Sequence, residues 1–409
     1  MTGKTPDGGR VAAFTGESGR FLFVLSFGWF LTLGARFLVP ALLPFVKAEF
    51  GLENTGAGLV VTVVWLTYGV MQFPAGVLVD RVGERTLLST SAGLAAISML
   101  GFAVAPSYPL FLLAGAGFGL ATGLYGPARG IALTRRFDAV EGVAFGTVLG
   151  AGSVGAAVLP FAVALSAGVV DWRVSVGAIG PAFFLAALGL ARVVPENLGD
   201  GAPTPSLSRG VSRTARALTR RRVGTAVAAI VLMLFVFQGL TAFYPTYLVV
   251  EGRLSQSTAS ALYAVLFLAG GAFQLGAGRF ADRFGYRRVL VATGAVSVVP
   301  LLVLPRVHGL GWFGIVTVLI ALRLAIAPMT NAYIVGSLSE ESRGTSWGLI
   351  RTGFFVLGAF GSVVVGGLAD LGRFDVAIYG LAGVTVLGTL LYASLPRENR
   401  GDGRTDREG

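Results

Sequence analysis

The sequence predicts an all-α integral membrane protein of twelve transmembrane helices in two sets of six. Three observations predict it. The 409 residues are 54% hydrophobic and 13% charged, with a mean hydropathy of +0.75, whereas soluble chains carry about a quarter charged residues. The charges cluster, leaving apolar runs of about 20 residues, enough to cross a bilayer as helix. A ten-residue pattern, Gly76-Val-Leu-Val-Asp80-Arg81-Val-Gly83-Glu-Arg85, recurs as Gly278-Arg-Phe-Ala-Asp282-Arg283-Phe-Gly285-Tyr-Arg287, an offset of 202. A charged turn used once per half-chain between apolar runs marks a duplicated membrane protein.

Helix is the conformation that satisfies its own backbone hydrogen bonds in lipid, and the runs are too long for barrel strands. Sixty glycines fit the same environment, because small residues let membrane helices approach closely. Apolar runs fall at 21–46, 57–79, 86–105, 108–128, 142–166 and 173–194. Six more fall at 223–250, 257–280, 289–305, 310–337, 345–369 and 375–395. The expected organisation is a tail over 1–20, a six-helix unit over 21–194, a central loop over 195–222, a second six-helix unit over 223–395 and a tail over 396–409. The first run exceeds a signal-peptide core and lacks a clear cleavage pattern, so it reads as the first membrane helix.

Lysine and arginine set the orientation. With the N-terminus in the cytoplasm, 24 of the 32 basic residues fall on cytoplasmic segments or adjoining helix ends. Lys47, Arg173, Arg253, Arg306 and Arg373 lie outside, and Arg36, Arg323 and Arg351 fall within helices. Both termini are therefore expected in the cytoplasm of a multi-pass protein of the cell membrane. The net charge of +11 follows this topology, so a nucleic-acid partner is not expected. The crowded central arginines suit anionic lipid headgroups.

Chemistry is sparse. Cysteine is absent, which removes disulfides, thiolate metal sites and cysteine nucleophiles. The single histidine, His308, sits in a short loop. All acidic residues fall in tails, loops or helix ends, and no phosphate-cradling Gly-Lys-Ser/Thr motif is present. No metal, cofactor or enzymatic activity is expected.

The duplication reaches beyond the charged turn. Gln72 and Gln274 share the 202-residue offset, as do Gly142 with Gly344 and Gly146 with Gly348, while Pro127 and Pro328 are 201 apart. With these residues in place, the chain resembles the major facilitator superfamily, whose signature Gly-x-Leu-x-Asp-Arg-x-Gly-x-Arg lies between helices 2 and 3 and again between 8 and 9. The resemblance covers roughly residues 20–395. It implies two pseudo-symmetric six-helix bundles around a central cavity, working by alternating access. It further implies that Asp80 and Arg81 form a cytoplasmic charge latch with neighbouring helix ends. Two family patterns are incomplete. Helix 4 lacks the arginine that often precedes its glycine-rich stretch, Leu112 to Gly119. The helix 5 signature of drug–proton antiporters keeps Gly146, Gly155 and Pro160 but has Leu159, Val163 and Ala164 in place of glycines.

In this family helices 1, 4, 7 and 10 line the cavity, which singles out Arg36, Gln238 and Arg323 at similar depths on helices 1, 7 and 10. An ionisable residue within the bilayer is costly unless it faces a cavity or partner. Arg351 lies about seven residues into helix 11. No mid-helix carboxylate opposes these arginines, and a guanidinium presents a fork suited to carboxylate or phosphate oxygens. A small anionic solute is therefore the expected cargo. Trp29 and Thr32 share a face with Arg36, Asn331 shares one with Arg323, and Tyr125 lies on helix 4. Tyr244 and Tyr247, bracketing Pro245 near the outer end of helix 7, are expected to serve in packing or in the interfacial aromatic belt rather than as ligand contacts, and Gln72 and Gln274 as inter-helix hydrogen-bond partners. With no mid-helix acid to carry protons, anion exchange or uniport fits more simply than proton coupling.

Other readings stay open at this point: an exporter of drugs or a carrier of sugars and other neutral solutes on the same fold, or a sensor. One chain holds both halves of a site, so a monomer is expected to work alone.

Overall fold

The computed structural model describes residues 15–137, 140–196, 207–339 and 343–396. Twelve spans run through it. Span 1 is Gly16–Phe50; spans 2 and 3 share the continuous helix Asn54–Val104; span 4 is Tyr108–Arg136; span 5 is Glu141–Ser166; and span 6 is Trp172–Val193. In the second half, span 7 is Arg221–Val250, span 8 Gln256–Phe284, span 9 Tyr286–Arg306, span 10 Leu310–Gly336, span 11 Gly344–Asp370 and span 12 Phe374–Ala393. Spans 1 and 5 pack together in the first half, and spans 7 and 11 in the second. The halves meet where span 2 lies on span 11 and span 5 on span 8.

Spans 2 and 3 reverse through one residue. Gly83 has φ 76° and ψ 164°, and its repeat mate Gly285 has φ 87° and ψ 142°, a region that side chains with a Cβ avoid. The ten-residue repeat is thus helix, a single glycine hinge, then helix again. Gly76 and Gly278 lie inside helices with open space where a Cβ would sit. Close approach explains other glycines. A Cβ on Gly155 would strike the Phe30 carbonyl between spans 5 and 1, and one on Gly361 the Phe235 carbonyl between spans 11 and 7.

Prolines break the spans where their geometry requires. A proline lacks the N–H that would bond the carbonyl four residues earlier, and its ring crowds that carbonyl. Pro40 acts on Arg36, and span 1 breaks there into helices Gly16–Arg36 and Leu38–Phe50. Pro328 acts on Leu324, and span 10 narrows to a 3-10 turn over Leu322–Ala325.

Three expectations are corrected. Helix begins at Gly16, inside the expected 1–20 tail; residues 1–14 lie outside the described residues, as does the 397–409 tail. The central stretch 195–222 is not all loop: it contains a helix, Leu207–Thr219. Gly210, Thr214 and Ala217 are buried along one side of that helix, an i, i+4, i+7 stripe that the dense arginines mask in the sequence. Of the two expectations for Tyr244 and Tyr247, packing holds and a place in the interfacial belt does not. Both are buried, Tyr244 sharing a 2.6 Å hydrogen bond with Thr317 and Tyr247 donating to Asp375 at 3.3 Å.

Candidate functional site

The duplicated prolines, Pro127 within the continuous helix of span 4 and Pro328 at the break of span 10, explain the duplicated glutamines. The Leu324 carbonyl, stripped of its helical partner by Pro328, accepts a hydrogen bond from Gln274 Nε2 at 3.2 Å. In the first half, Pro127 strips Gly123, whose carbonyl accepts from Gln72 Nε2 at 3.4 Å. A buried carbonyl without a partner is costly, so in each half a glutamine from the neighbouring span satisfies the carbonyl that the proline leaves without its helical donor.

The repaired break in span 10 carries Arg323 and opens onto a cavity of about 170 Å³ between the halves. Trp29, Leu33 and Phe37 of span 1, Trp65 of span 2 and Leu149 and Ser153 of span 5 form one wall. Met233, Leu234 and Phe237 of span 7, Phe267 and Gln274 of span 8 and Arg323 of span 10 form the other. Arg323 is 5% exposed. Its Nη1 and Nη2 are buried and, among the described residues, have no hydrogen-bond partner.

Arg36 and Gln238 are not brought to the cavity with Arg323. Arg36 lies behind the lining, its guanidinium 3.7 Å from the Tyr68 ring centre and 5.4 Å from both Trp29 and Trp65. It donates a long 3.5 Å bond to the Thr122 carbonyl, and its Nε has no partner among the described residues. Gln238 is buried against span 11, where its carbonyl accepts from Ser362 at 3.2 Å while both side-chain polar atoms lack partners among the described residues.

Arg129 was not a sequence candidate. Its guanidinium lies 3.9 Å from the Trp29 ring centre, with Nε and Nη1 buried and unpartnered among the described residues. Its position near Arg135 and Arg136 made it read as part of a charged helix end. Burial over seven further residues of span 4, at about 1.5 Å each, was the missed signal. Arg351 is 5.7 Å from the Phe355 ring, and Phe355 meets Tyr68 edge-on at 5.0 Å. Arg36, Arg129 and Arg351 are close enough to interact electrostatically with one another and with Tyr68. Two come from the first half and one from the second. Cation–π contact eases each charge, yet among the described residues no carboxylate pairs with any of the three.

The remaining candidates are placed as follows. Tyr125 stacks on Trp29 at 6.0 Å and donates to the Leu25 carbonyl at 2.8 Å. Thr32 is buried in span 1. Asn331, two turns beyond Arg323, has a buried Oδ1 without a partner among the described residues.

At the glycine hinges between spans 2 and 3 and between spans 8 and 9, the motif residues divide. Asp80 is exposed and makes no hydrogen bond or ion pair among the described residues. Arg81, Asp282 and Arg283 are exposed too. The second arginine of each copy binds within its own half. Arg85 pairs with Glu196 beyond span 6 at 3.3 Å, and Arg287 donates to the Ala393 carbonyl of span 12 at 2.6 and 3.0 Å. Beside the first hinge, buried Glu84 pairs with Arg135 at 2.6 Å, a charge contact the motif alone did not point to.

Toward the opposite face the cavity is closed twice. Phe37 packs on Phe267 at 4.3 Å and on Phe237 at 6.1 Å, joining the halves through rings. Farther out, the Asp370 carboxylate at the end of span 11 accepts from the backbone N–H groups of Asn54 at 2.6 Å and Thr55 at 2.8 Å, and from the Thr55 hydroxyl. Gln256 of span 8 also donates to the Ala41 carbonyl of span 1 at 3.1 Å.

Comparison with known proteins completes the description. The model of the Major Facilitator Superfamily matches residues 25–253 and 252–408. The MFS-type transporter YfnC of Bacillus subtilis is 24% identical over 372 residues, 89% of each chain. The quinolone resistance protein NorA of Staphylococcus aureus is 24% identical over 379 residues, 90% of this chain and 95% of that one. Among solved structures, the nucleoside transporter NupG superposes with a TM-score of 0.76 at 15% identity, covering 92% of this chain and 99% of its own. A bacterial homologue of the human lysosomal transporter Spinster, inward-facing and unoccupied, gives 0.72 at 15% identity, covering 91% and 95%.

Proposed function

From the premise that the chain belongs to the Major Facilitator Superfamily of membrane transporters, we propose that it carries a small anion by alternating access. The observation that carries this reading is Arg323: an arginine on the cavity lining whose two terminal nitrogens are buried and unpartnered among the described residues. A guanidinium keeps its charge in such a place, and its fork fits an oxyanion. Arg36, Arg129 and Arg351 add positive potential behind the aromatic wall.

The proposed orientation puts both termini and the two glycine hinges in the cytoplasm of a plasma-membrane protein, following the arginine distribution. The Asp370 and Phe37 closures then lie on the outer side, so the solute path in this state leads inward. Asp80 and Asp282 are exposed and can take new partners when the inner side closes. A single chain supplies every element and works as a monomer.

A second reading has one observation in its favour. The cavity wall is largely apolar, which suits export of hydrophobic compounds, and a relative is named for quinolone resistance. Counterflow in proteoliposomes separates the two. Under the anion reading, Arg323→Gln abolishes counterflow of an anion, whereas efflux of a neutral or cationic compound unaffected by that change would reject it.

A further inference from the structure

Arg323 is one charge in an apolar chamber. Leu33, Leu149, Met233, Leu234 and Phe267 face it from four spans, and besides Arg323 the lining offers few polar side chains, chiefly Ser153 and Gln274. Gln274 is engaged through Nε2 in holding the Leu324 carbonyl. Arg36, Arg129 and Arg351 do not line the chamber; Arg36 and Arg129 stand against the Trp29 ring from behind. The chamber therefore provides one anion contact and an apolar wall.

We infer that the solute is an amphipathic monocarboxylate: one carboxylate on an aromatic or branched hydrocarbon body. The inference rests on the anion reading and narrows it. A single carboxylate takes Nη1 and Nη2, buried and unpartnered here among the described residues, in parallel once the side chain turns into the chamber, the geometry of a bidentate pair. The body then displaces water from apolar side chains of both halves, a favourable transfer that grows with the area covered. Phosphate, sulfate or a dicarboxylate brings a second charge or a polar shell that these walls cannot replace, and desolvating it without partners is unfavourable. Because Arg323 lies in the second half while Trp29, Leu33 and Leu149 lie in the first, such a solute bridges the two halves.

The test uses the full chain in nanodiscs, with calorimetry against benzoate, succinate, inorganic phosphate and neutral benzamide. Benzoate is expected to bind at least about tenfold tighter than succinate or phosphate. Arg323→Gln should weaken benzoate by about tenfold or more, while leaving benzamide unchanged. In case Arg323→Gln does not fold, Leu149→Asn supplies the second arm. Leu149 lines the chamber, so a polar side chain there removes apolar contact with the hydrocarbon body and should weaken benzoate severalfold. Tighter binding of succinate or phosphate would overturn the monocarboxylate assignment and leave the anion reading standing. Benzamide binding as tightly as benzoate, with no effect of Arg323→Gln, would overturn the anion reading itself. Absence of benzoate binding at millimolar concentration also overturns the inference.

Discussion

Gln274 holds the Leu324 carbonyl that Pro328 leaves without a helical partner, and Leu324 is the residue next to Arg323. The glutamine is therefore a positioning residue for the cavity arginine. Gln274→Leu keeps the volume and removes the donor. Inter-helix hydrogen bonds in membranes are worth about 0.6 kcal/mol on average and up to roughly 1.7, so stability should fall by no more than that. Transport should fall further, because the 3-10 turn presenting Arg323 relaxes. Chemical denaturation and counterflow on the same preparation give the comparison. Equal losses in both would show that Gln274 is only structural.

Asp370 caps a helix that belongs to the other half. Its carboxylate meets the first two N–H groups of span 2, where orphan donors and the helix dipole favour negative charge. Removing a cap costs about 0.5–2 kcal/mol. Asp370→Ala should thus shift the balance roughly twofold to thirtyfold toward the state open on that face. The chain has no native cysteine, so Ala41→Cys, buried at 0% exposure, reports opening by its maleimide labelling rate. An unchanged rate in the Asp370→Ala background would show that the cap does not hold the gate.

Arg36 is buried with three aromatic rings and, among the described residues, no carboxylate partner. Its charge works against folding, and replacing buried charge with hydrophobic volume is often neutral or stabilising. Arg36→Leu should leave the melting temperature in the absence of solute at or above that of the wild type, while lowering transport. A marked drop in melting temperature would mean that the cation–π cage stabilises the fold.

The glycines of the repeat differ in role. Gly83 and Gly285 adopt positive φ, where a Cβ costs roughly 1–3 kcal/mol. Gly76 and Gly278 have helical surroundings with free space. Gly83→Ala and Gly285→Ala should lower stability by that amount, and Gly76→Ala and Gly278→Ala should not. Thermal unfolding of the four variants checks the division. A loss of transport in Gly76→Ala without a loss of stability would assign that position to a contact made in the other state.

The sequence by itself determined the spans, their duplication and the family. These depend on local properties: a lipid-facing backbone must be helical, positive charge collects at one side of each helix pair, and the repeat is read by counting. The tertiary structure decided which arginine lies on the cavity lining. That depends on helix rotation and on the breaks at Phe37 and Leu322–Ala325, which place Arg323 on the wall and Arg36 behind Trp29. It also decided the partners of the duplicated prolines, since the glutamine donors come from other spans. Arg129 was hidden because burial is a property of neighbours. Asp370 and Thr55 are 315 residues apart; nothing local joins them, and only the closure of one half upon the other brings a carboxylate to a helix end.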